Sequence, residues 1–330
     1  MSEIVVAVLV PPIHSKSPKS HSFPIAKAIQ SLNVKGIITV FGFDLNRKNN
    51  SVWINGKTIE NNVFVDFKSE VNIIHDRFPS QIRSEHFSDI RSVADTIPFG
   101  NPFSTTLLCR DKLACQRILE CSSLDMPEVI NDPTQFKSRL EQWSQGFIKP
   151  QFGALGKGVQ AVTSSMSIPH LLPGVVPNRL EPTILQRGIS PPDGWAGMSV
   201  RQLMQKDIGG KWIPRTAVLR RSKTETVVNV ARGAEAVPAV DFLPSETILE
   251  ITRQSFVACN ILDTEPNGRY NVEFGLDFVI DPEYKPWLIE VNSRPRGRLE
   301  NLAQSYPARF HAEHQTACTQ PIRYLASLCQ

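Results

Sequence analysis

The most informative segment of this sequence is EFGLDFVIDPEYKPWLIEVN, which runs from Glu273 to Asn292. Polar and apolar residues alternate at both of its ends, which is typical of half-buried β-strands, and the central DPEYKP consists of turn-forming residues. The alternation places Leu288 and Glu290 on one face of the second strand. A hairpin that is symmetric about this turn pairs Asp277 directly with Glu290.

Two carboxylates in this position predict a bound cation. Cross-strand partners have Cβ atoms about 4.5–5.5 Å apart, where like charges destabilise each other unless one is protonated or a cation lies between them. Asn292 adds a neutral oxygen on the face of Glu290, and three hard oxygen ligands of this kind are typical of magnesium. The segment therefore predicts a magnesium site formed by Asp277, Glu290 and Asn292. The alternative is a solvated sheet face on which the two acids never meet.

Upstream, the segment FIKPQFGALGKGVQAV (Phe147–Val162) has glycines at Gly153, Gly156 and Gly158. Such a backbone approaches ligands closely, and its successive N–H groups form an anion nest. The segment is neither a Walker A loop nor a dinucleotide fingerprint, because no Lys-Ser/Thr follows the last glycine and a strand follows instead of a helix. It predicts a flexible loop between two strands, with Lys149 as a candidate phosphate clamp. A glycine-rich hairpin without a ligand is the alternative.

The composition excludes several classes of protein. The chain has 330 residues, of which 41% are hydrophobic, and a formal net charge of +4. At roughly 100–200 residues per domain, this length predicts two or three domains or one large composite fold. The sequence has no apolar run of about 18 residues and no basic leader before its first apolar run, so we expect a cytoplasmic protein without a membrane partner. The weak positive charge lacks the clustered basic face of a nucleic-acid binder and suits an anionic small molecule.

The first hundred residues read as an α/β unit. Within them, Ser51–Glu60 alternates around Asn55-Gly56, which predicts a hairpin turn at that dipeptide. A short apolar strand is predicted just before His75, Asp76 and Arg77. Because ligands of open α/β sheets lie at the carboxyl ends of strands, His75 and Arg77 are candidate substrate contacts. A plain surface loop is the alternative.

The predicted domain boundaries follow from breaks in the pattern. Residues 97–102 form a Pro/Gly-rich break. The spacing predicts one helix from Thr105 to Cys121, and short strands separated by turns follow after residue 127. The predicted domains are an N-terminal α/β domain at 1–102, a central part with the glycine loop at 103–185, and a C-terminal part with the metal site at 186–330.

Taken in order, these motifs resemble the ATP-grasp superfamily from about Thr105 to Arg298. The matching features are a first ATP-binding lysine (Lys112), a second one (Lys149), the glycine loop (Gly153, Gly156, Gly158), a hinge strand whose backbone would read the adenine edge (Gln186, Arg187, Ile189) and the metal ligands (Asp277, Glu290, Asn292). Within the superfamily, the sequence is most similar to the group typified by the endospore coat-associated YheC/YheD proteins. The segments that carry this similarity are IHDRFP (74–79), VRQLMQKD (200–207), VNVARG (228–233) and WLIEVNSRP (287–295).

The resemblance implies a fold class and an activity. The expected fold is α/β, with α+β character in the C-terminal part: an ATP-grasp fold preceded by an N-terminal α/β pre-ATP-grasp domain. The expected activity is that of an ATP-dependent carboxylate–amine ligase in peptide or natural-product biosynthesis. ATP phosphorylates a carboxylate, and an amine attacks the acyl phosphate to give an amide, ADP and phosphate. The implied cofactors are ATP and Mg²⁺, which Mn²⁺ can replace; the implied partners are a small carboxylate such as an amino acid or peptide and an amine, with a homodimer compatible with this activity.

The resemblance also implies roles for several arginines, and the sequence departs from related ligases at two positions. The implied substrate contacts are His75, Arg77, Arg201 and Asn229, and the candidates for stabilising the acyl oxyanion are Arg220, Arg232 and Arg294. D-alanine–D-alanine ligases have an arginine at the place of Gly275, so that charge has to come from elsewhere. Related ligases often have an aspartate at the place of Ser199, so Arg201 lacks that neighbour in this sequence. A nucleotide-binding coat protein without turnover and a small-molecule kinase on the same fold are the alternative functions.

Overall fold

The computed structural model of the chain describes residues 3–10, 25–26, 28–29, 36–61, 63–77, 92–93, 96–120, 123–152, 158–166, 175–176, 179–180, 182–228, 234–295 and 299–330. The strands are β1 (Ile4–Leu9), β2 (Ile37–Lys48), β3 (Ser51–Glu60), β4 (Val63–Glu70), β5 (Ile73–Asp76), β6 (Phe99–Gly100), β7 (Val129–Ile130), β8 (Gln145–Pro150), β9 (Gln160–Thr163), β10 (Val175–Val176), β11 (Arg179–Leu180), β12 (Thr183–Arg187), β13 (Gly197–Lys206), β14 (Trp212–Pro214), β15 (Val218–Ser222), β16 (Glu235–Pro238), β17 (Glu273–Ile280) and β18 (Pro286–Asn292). The α-helices are α1 (Phe103–Arg110), α2 (Lys112–Leu119), α3 (Phe136–Trp143), α4 (Ser245–Asp263), α5 (Glu300–Ser305) and α6 (Pro307–Ser327), and short 3₁₀ helices lie at Pro133–Gln135, Ala239–Asp241 and Gly268–Tyr270.

The N-terminal part is built around a mixed six-stranded sheet in the order β4-β3-β2-β1-β5-β6. The central strand β1 is parallel to both of its neighbours, β2 and β5. Val6 and Val8 pack in one core cluster with Ile322 and Leu325 of α6, whereas Leu9 belongs to a cluster on the other face. A strand with an almost continuous apolar sequence is typical of this position, because both of its faces are covered.

The hairpin turn predicted at Asn55-Gly56 is wrong. Ser51–Glu60 is the single strand β3, and the two turns that flank it contain Asn49 and Asn61, with φ angles of 53° and 48°. Gly56 lies inside the sheet because β2 passes close to it: an added Cβ would lie 2.5 Å from the carbonyl oxygen of Phe41. The glycine therefore permits a close backbone approach, which is the other common role of glycine within a strand.

A four-stranded antiparallel sheet follows, in the order β7-β12-β8-β9. Helix α3 packs Phe136 and Leu140 against Ile148 and Leu185 of this sheet. Strands β8 and β9 pair with each other on either side of the glycine loop, so the predicted strand–loop–strand arrangement is confirmed. Gly158, which precedes β9, has a φ of 71°, in the left-handed region that favours glycine.

The single helix predicted from Thr105 to Cys121 is interrupted at Asp111, and Cys121 itself lies outside the described residues. Asp111 has an extended conformation, and its carboxylate accepts hydrogen bonds from the N–H groups of Leu113 and Ala114 at 3.1 Å each. This is the geometry of an N-cap, which begins a new helix even though the apolar spacing continues. Lys112 is consequently the first residue of α2.

The C-terminal part contains an antiparallel sheet in the order β16-β15-β13-β17-β18, with β14 also paired to β13. Helix α4 contributes Ile251 and Leu262 to a core cluster that includes Phe274, Leu276 and Phe278 of β17. Because strand side chains alternate, the residues between these apolar ones face the opposite side of the sheet. No described helix is long and apolar enough to span a membrane.

Candidate active site

The pairing predicted between the two carboxylates is confirmed. Asp277 on β17 lies directly opposite Glu290 on β18, and on its other side it lies opposite Arg201 on β13. The hairpin register shifts by one residue just after Asp277, so that Phe278 pairs with Leu288. Leu288 is therefore fully buried in the core, and its predicted place on the face of Glu290 is wrong because the irregularity interrupts the simple alternation.

Asp277 is bound by two arginines. Arg201 donates to it through Nε, at 2.5 Å, and through Nη2, while Arg220 of β15 donates through Nη2 at 2.6 Å. The side-chain nitrogen of Asn292 is 3.1 Å from the same carboxylate. Burial favours a raised pKa, but the two guanidinium groups outweigh it and keep the pKa of Asp277 below its ordinary value. Asp277 is therefore an ionised carboxylate on the polar face of the sheet.

Gly275 and Ser199, the two positions at which the sequence departs from related ligases, lie beside this cluster. An added Cβ on Gly275 would lie 3.2 Å from both Cδ and Nη1 of Arg201 and 2.8 Å from Cβ of Pro295. The guanidinium over this part of β17 thus comes from the neighbouring strand β13, and the glycine leaves space for it. Ser199 is buried directly opposite Arg220. Asp277, rather than a residue at position 199, is the acidic neighbour of Arg201.

The two predicted ATP lysines lie close enough to the carboxylates to interact with them. Lys149 on β8 is buried and donates a hydrogen bond to the side chain of Gln186 on β12. Burial lowers the pKa of Lys149 to about 8, an effect that Glu290 and Asp277 oppose and Lys112 reinforces. Lys112 also lines one cavity together with Glu290, between α2 and β18. Lys112, Lys149 and the carboxylate pair are therefore neighbours, and the region around these four side chains is referred to below as the cleft.

The predicted adenine hinge follows this cleft along β12. Arg187 is exposed, and its backbone N–H donates to the carbonyl of Glu128 at 2.8 Å. The next N–H, that of Gly188, donates to the carbonyl of Gln145 at 3.0 Å, and Ile189 is half-buried. Gln186 contacts Lys149 through its side chain, a contact that the sequence pattern does not reveal. Adenine recognition at these residues stays a prediction.

Comparisons with known proteins agree with this architecture. Residues 176–328 match the family described as YheC/D-like ATP-grasp. Among solved structures, the VanG D-Ala:D-Ser ligase from Enterococcus faecalis aligns with a TM-score of 0.64 and 12% identity over 98% of this chain and 100% of that one. The macrocyclase MdnC from Microcystis aeruginosa, bound with precursor peptide MdnA, aligns with a TM-score of 0.60 and 14% identity over 96% and 99%. The ATP-grasp ligase PsnB, complexed with a precursor variant, Mg and ADP, aligns with a TM-score of 0.57 and 12% identity over 98% and 100%.

The chain has the ATP-grasp fold. The α/β ATP-grasp fold expected from the sequence is confirmed, and so is the similarity to the YheC/D group. No curated relative matches the sequence.

In this ATP-grasp fold, the predicted substrate contacts His75 and Arg77 lie between the N-terminal and C-terminal sheets. Arg77 donates to Oε1 of Glu273 at 2.7 Å and to the carbonyl of Pro295 at 2.6 Å. Nε2 of His75 is 3.7 Å from the same Glu273 oxygen, and Gln205 donates to the other one at 3.0 Å. These buried contacts give Arg77 a structural partner, and its role as a substrate contact stays a prediction.

Arg294 and Asn101 make further contacts between the N-terminal and C-terminal parts of the chain. Arg294 is bound to the carboxylate of Asp76 at the end of β5. Asn101 donates to the carbonyl of Glu273 at 2.7 Å and accepts from the N–H of Val272 at 2.7 Å. Sequence reasoning missed Asp76, Glu273 and Asn101 as partners. The only signal was that Glu273 alternates in phase with Asp277 and so lies on the same face of β17.

Some predicted site residues lie outside the described part of the chain: Gly153, Gly156, Asn229 and Arg232. Among the oxyanion candidates, the structure describes Arg220, which contacts Asp277, and Arg294, which contacts Asp76.

Proposed function

We propose that this chain is an ATP-dependent carboxylate–amine ligase that forms an amide bond through an acyl-phosphate intermediate. The observation that carries the proposal is the proximity of Lys112 and Lys149 to the paired carboxylates of Asp277 and Glu290, which three separate parts of the chain bring together. Positive groups of this kind bind phosphates, and the paired acids provide the oxygen ligands of a divalent cation. Two of the three similar structures described above are named ligases, and PsnB was solved with Mg and ADP.

The residues present fit a magnesium ion. Asp277 and Glu290 are direct cross-strand neighbours, and the amide of Asn292 is 3.1 Å from Asp277. In the proposal, these three residues hold Mg²⁺ or Mn²⁺. When bound, such an ion neutralises phosphate charge and orients the phosphates.

The proposed mechanism depends on positioning and charge rather than on a covalent enzyme intermediate. Lys112 and Lys149 bind the phosphates of ATP, and the backbone around Gln186 to Ile189 binds the adenine. Arg201 and Arg220, which face the same cleft, stabilise the oxygens of the phosphorylated carboxylate when the amine attacks. Closure of the glycine loop that ends at Gly158 excludes water, so that the acyl phosphate reacts with the amine instead of being hydrolysed.

The proposal also assigns a role to each of three parts of the chain. Residues 1–102 form the substrate-side domain, 103–185 the part with the glycine loop, and 186–330 the part with the metal site. A small acid such as an amino acid or a peptide supplies the carboxylate.

The decisive experiment measures ADP and inorganic phosphate after incubation with Mg-ATP and pools of amino acids and short peptides. A ligase releases ADP and phosphate in equal amounts, and hydroxylamine intercepts its acyl phosphate as a hydroxamate. A kinase releases ADP while the phosphoryl group stays on the substrate. No ADP with any pool, together with no ATP binding in a calorimetric titration, would favour a structural protein and refute the proposal.

A further inference from the structure

The carboxylate of Asp277 is fully engaged by protein groups. Oδ1 accepts hydrogen bonds from Arg201 Nε at 2.5 Å and from Arg220 Nη2 at 2.6 Å. Oδ2 accepts from the Nη2 of Arg201 and from the side-chain nitrogen of Asn292, the latter at 3.1 Å. An ionised carboxylate has about four acceptor positions, so these four donors use all of them. A cation that binds Asp277 has to displace at least one of these donors.

Positive charge exceeds negative charge around the carboxylate pair. Arg201, Arg220 and the neighbouring Lys112 and Lys149 contribute four positive charges, and Asp277 and Glu290 contribute two negative ones. A divalent cation that enters alone therefore finds no net negative charge, and it adds to the excess of positive charge in a partly buried site, which is unfavourable. A polyphosphate that enters with the metal supplies negative charge and also offers oxygens to the displaced guanidinium groups.

Arg201 and Arg220 are positioned to exchange the carboxylate of Asp277 for the oxygens of a polyphosphate. Their side chains are 24% (Arg201) and 18% (Arg220) exposed, against 9% for Asp277, so both guanidinium groups are more accessible to an incoming ligand than the carboxylate that they contact. Ser199 lies on the same face of β13 as Arg201 and directly opposite Arg220. Its buried Oγ has no hydrogen-bond partner among the described residues. Among the described residues, Asp277 is the carboxylate that both arginines contact.

We propose that Arg201 and Arg220 are internal counter-cations that keep Asp277 closed to a free divalent metal and transfer to a nucleoside polyphosphate when the metal and the nucleotide bind together. The inference rests on the proposed function, because it requires that the cleft binds both ligands. It predicts that metal and nucleotide bind with strong positive coupling, and that the coupling resides in the two arginines. By linkage, each ligand raises the affinity for the other by the same factor.

The test is the binding of Mn²⁺ to the full chain, followed by the electron paramagnetic resonance signal of free Mn²⁺, with and without ADP. In the wild type, ADP should raise the affinity for Mn²⁺ by roughly 5- to 150-fold, the usual range of such coupling. In Arg201→Gln and Arg220→Gln, Mn²⁺ alone should bind more tightly than in the wild type, and the effect of ADP should shrink. The matched control is Arg253→Gln, which alters an exposed arginine paired with Glu250 and should behave like the wild type.

A second variant should act in the same sense without removing an arginine. Ser199→Asp offers the guanidinium of Arg220 a competing carboxylate and should also increase the binding of Mn²⁺ alone. Circular dichroism and thermal unfolding verify that each variant is folded, and the wild-type titration alone tests the coupling if a variant is not.

The outcomes separate the two proposals. If the wild type binds Mn²⁺ with ADP but the arginine variants bind free Mn²⁺ no better than it does, the counter-cation inference is wrong and the proposed function stands. If the wild type binds Mn²⁺ equally well with and without ADP, the inference is also wrong. If the wild type binds neither Mn²⁺ nor ADP, the proposed function fails and the inference fails with it.

Discussion

The carboxylate of Glu273 provides a quantitative test of how the N-terminal and C-terminal sheets are joined. Its side chain is fully buried, and it accepts hydrogen bonds from Arg77 at 2.7 Å and from Gln205 at 3.0 Å. The side chain of Arg77 is only 7% exposed. The substitution Glu273→Gln keeps the shape of the side chain but removes the negative charge that the buried guanidinium of Arg77 contacts. Removal of one partner of a buried pair costs about 3–5 kcal/mol.

This loss is a large fraction of a typical unfolding free energy of about 5–15 kcal/mol. Urea unfolding followed by circular dichroism measures it. With a slope of about 3 kcal/mol per M, at the upper end of the range for small proteins, the midpoint should fall by roughly 1–2 M. The double variant Arg77→Met/Glu273→Gln should recover part of this loss, because it leaves no uncompensated charge in the interior.

The matched control is Glu235→Gln, the same chemical change in a pair whose carboxylate is exposed. Glu235 is 54% exposed and accepts from Arg221 at 2.8 Å, and such surface pairs contribute about 0–1 kcal/mol. If Glu273→Gln destabilises the protein no more than Glu235→Gln does, the buried ion pair does not join the two sheets as we argue.

The remaining predictions concern the cleft. Glu290→Gln should abolish ADP formation and leave the urea midpoint unchanged; normal ADP formation would remove Glu290 from the metal site. Lys149→Ala should raise the KM for ATP by roughly tenfold or more, since a hydrogen bond to a charged group contributes about 1.5–3 kcal/mol, and an unchanged KM would mean that Lys149 does not bind the phosphates. Because burial lowers the pKa of Lys149 to about 8, the affinity for ATP should fall as the pH rises from about 7 to 9, and this pH dependence should be absent in Lys149→Arg, whose charge persists. Between about pH 8 and 10.5, Lys149 is protonated in the unfolded chain but largely deprotonated in the folded chain. The free energy of unfolding should therefore rise with pH across this range.

The parts of the site that the sequence predicts are those set by local geometry. Strand alternation and a hairpin symmetric about Glu283 and Tyr284 predict the pairing of Asp277 with Glu290, and the structure has that pair. The pairs next to the turn, such as Ile280 with Pro286, are symmetric about Glu283 instead, and the irregularity after Asp277 restores the predicted register. The prediction fails for Leu288, because one irregularity shifts the register by a residue and the alternation contains no sign of it.

Other errors arise where one residue type has two common roles. Asn55-Gly56 is a typical turn dipeptide, but glycine is equally suited to the close approach of β2 that the structure has. Asp111 lies within a continuous helical pattern, and its capping side chain nevertheless ends one helix and begins the next. In both cases a tertiary or capping contact determines the local structure, and the spacing of the apolar residues does not reveal it.

The partners of the charged residues are not predictable from the sequence, because they lie far apart along the chain. Arg201 and Asp277 are 76 residues apart, and Arg77 and Glu273 are 196 apart. The neighbours of a strand within a sheet determine these pairs, and alternation within a single strand carries no information about them. The sequence therefore identifies Arg201 and Arg77 as candidate ligand contacts, whereas the structure adds that each is held by a carboxylate.

The hairpin of β17 and β18 connects the junction between the sheets to the cleft. Glu273 and Asp277 are on one face of β17, about 13 Å apart at the usual rise per residue, and the first lies at the junction whereas the second lies in the cleft. On the other strand, Asn292 contacts Asp277, and Arg294, two residues later, contacts Asp76. Arg294 thus differs from Arg220 as an oxyanion candidate, because its substitution removes a contact between the sheets as well as a charge. Loss of turnover together with a lowered urea midpoint in Arg294→Gln would indicate a structural role, whereas loss of turnover at an unchanged midpoint would place Arg294 at the reacting group.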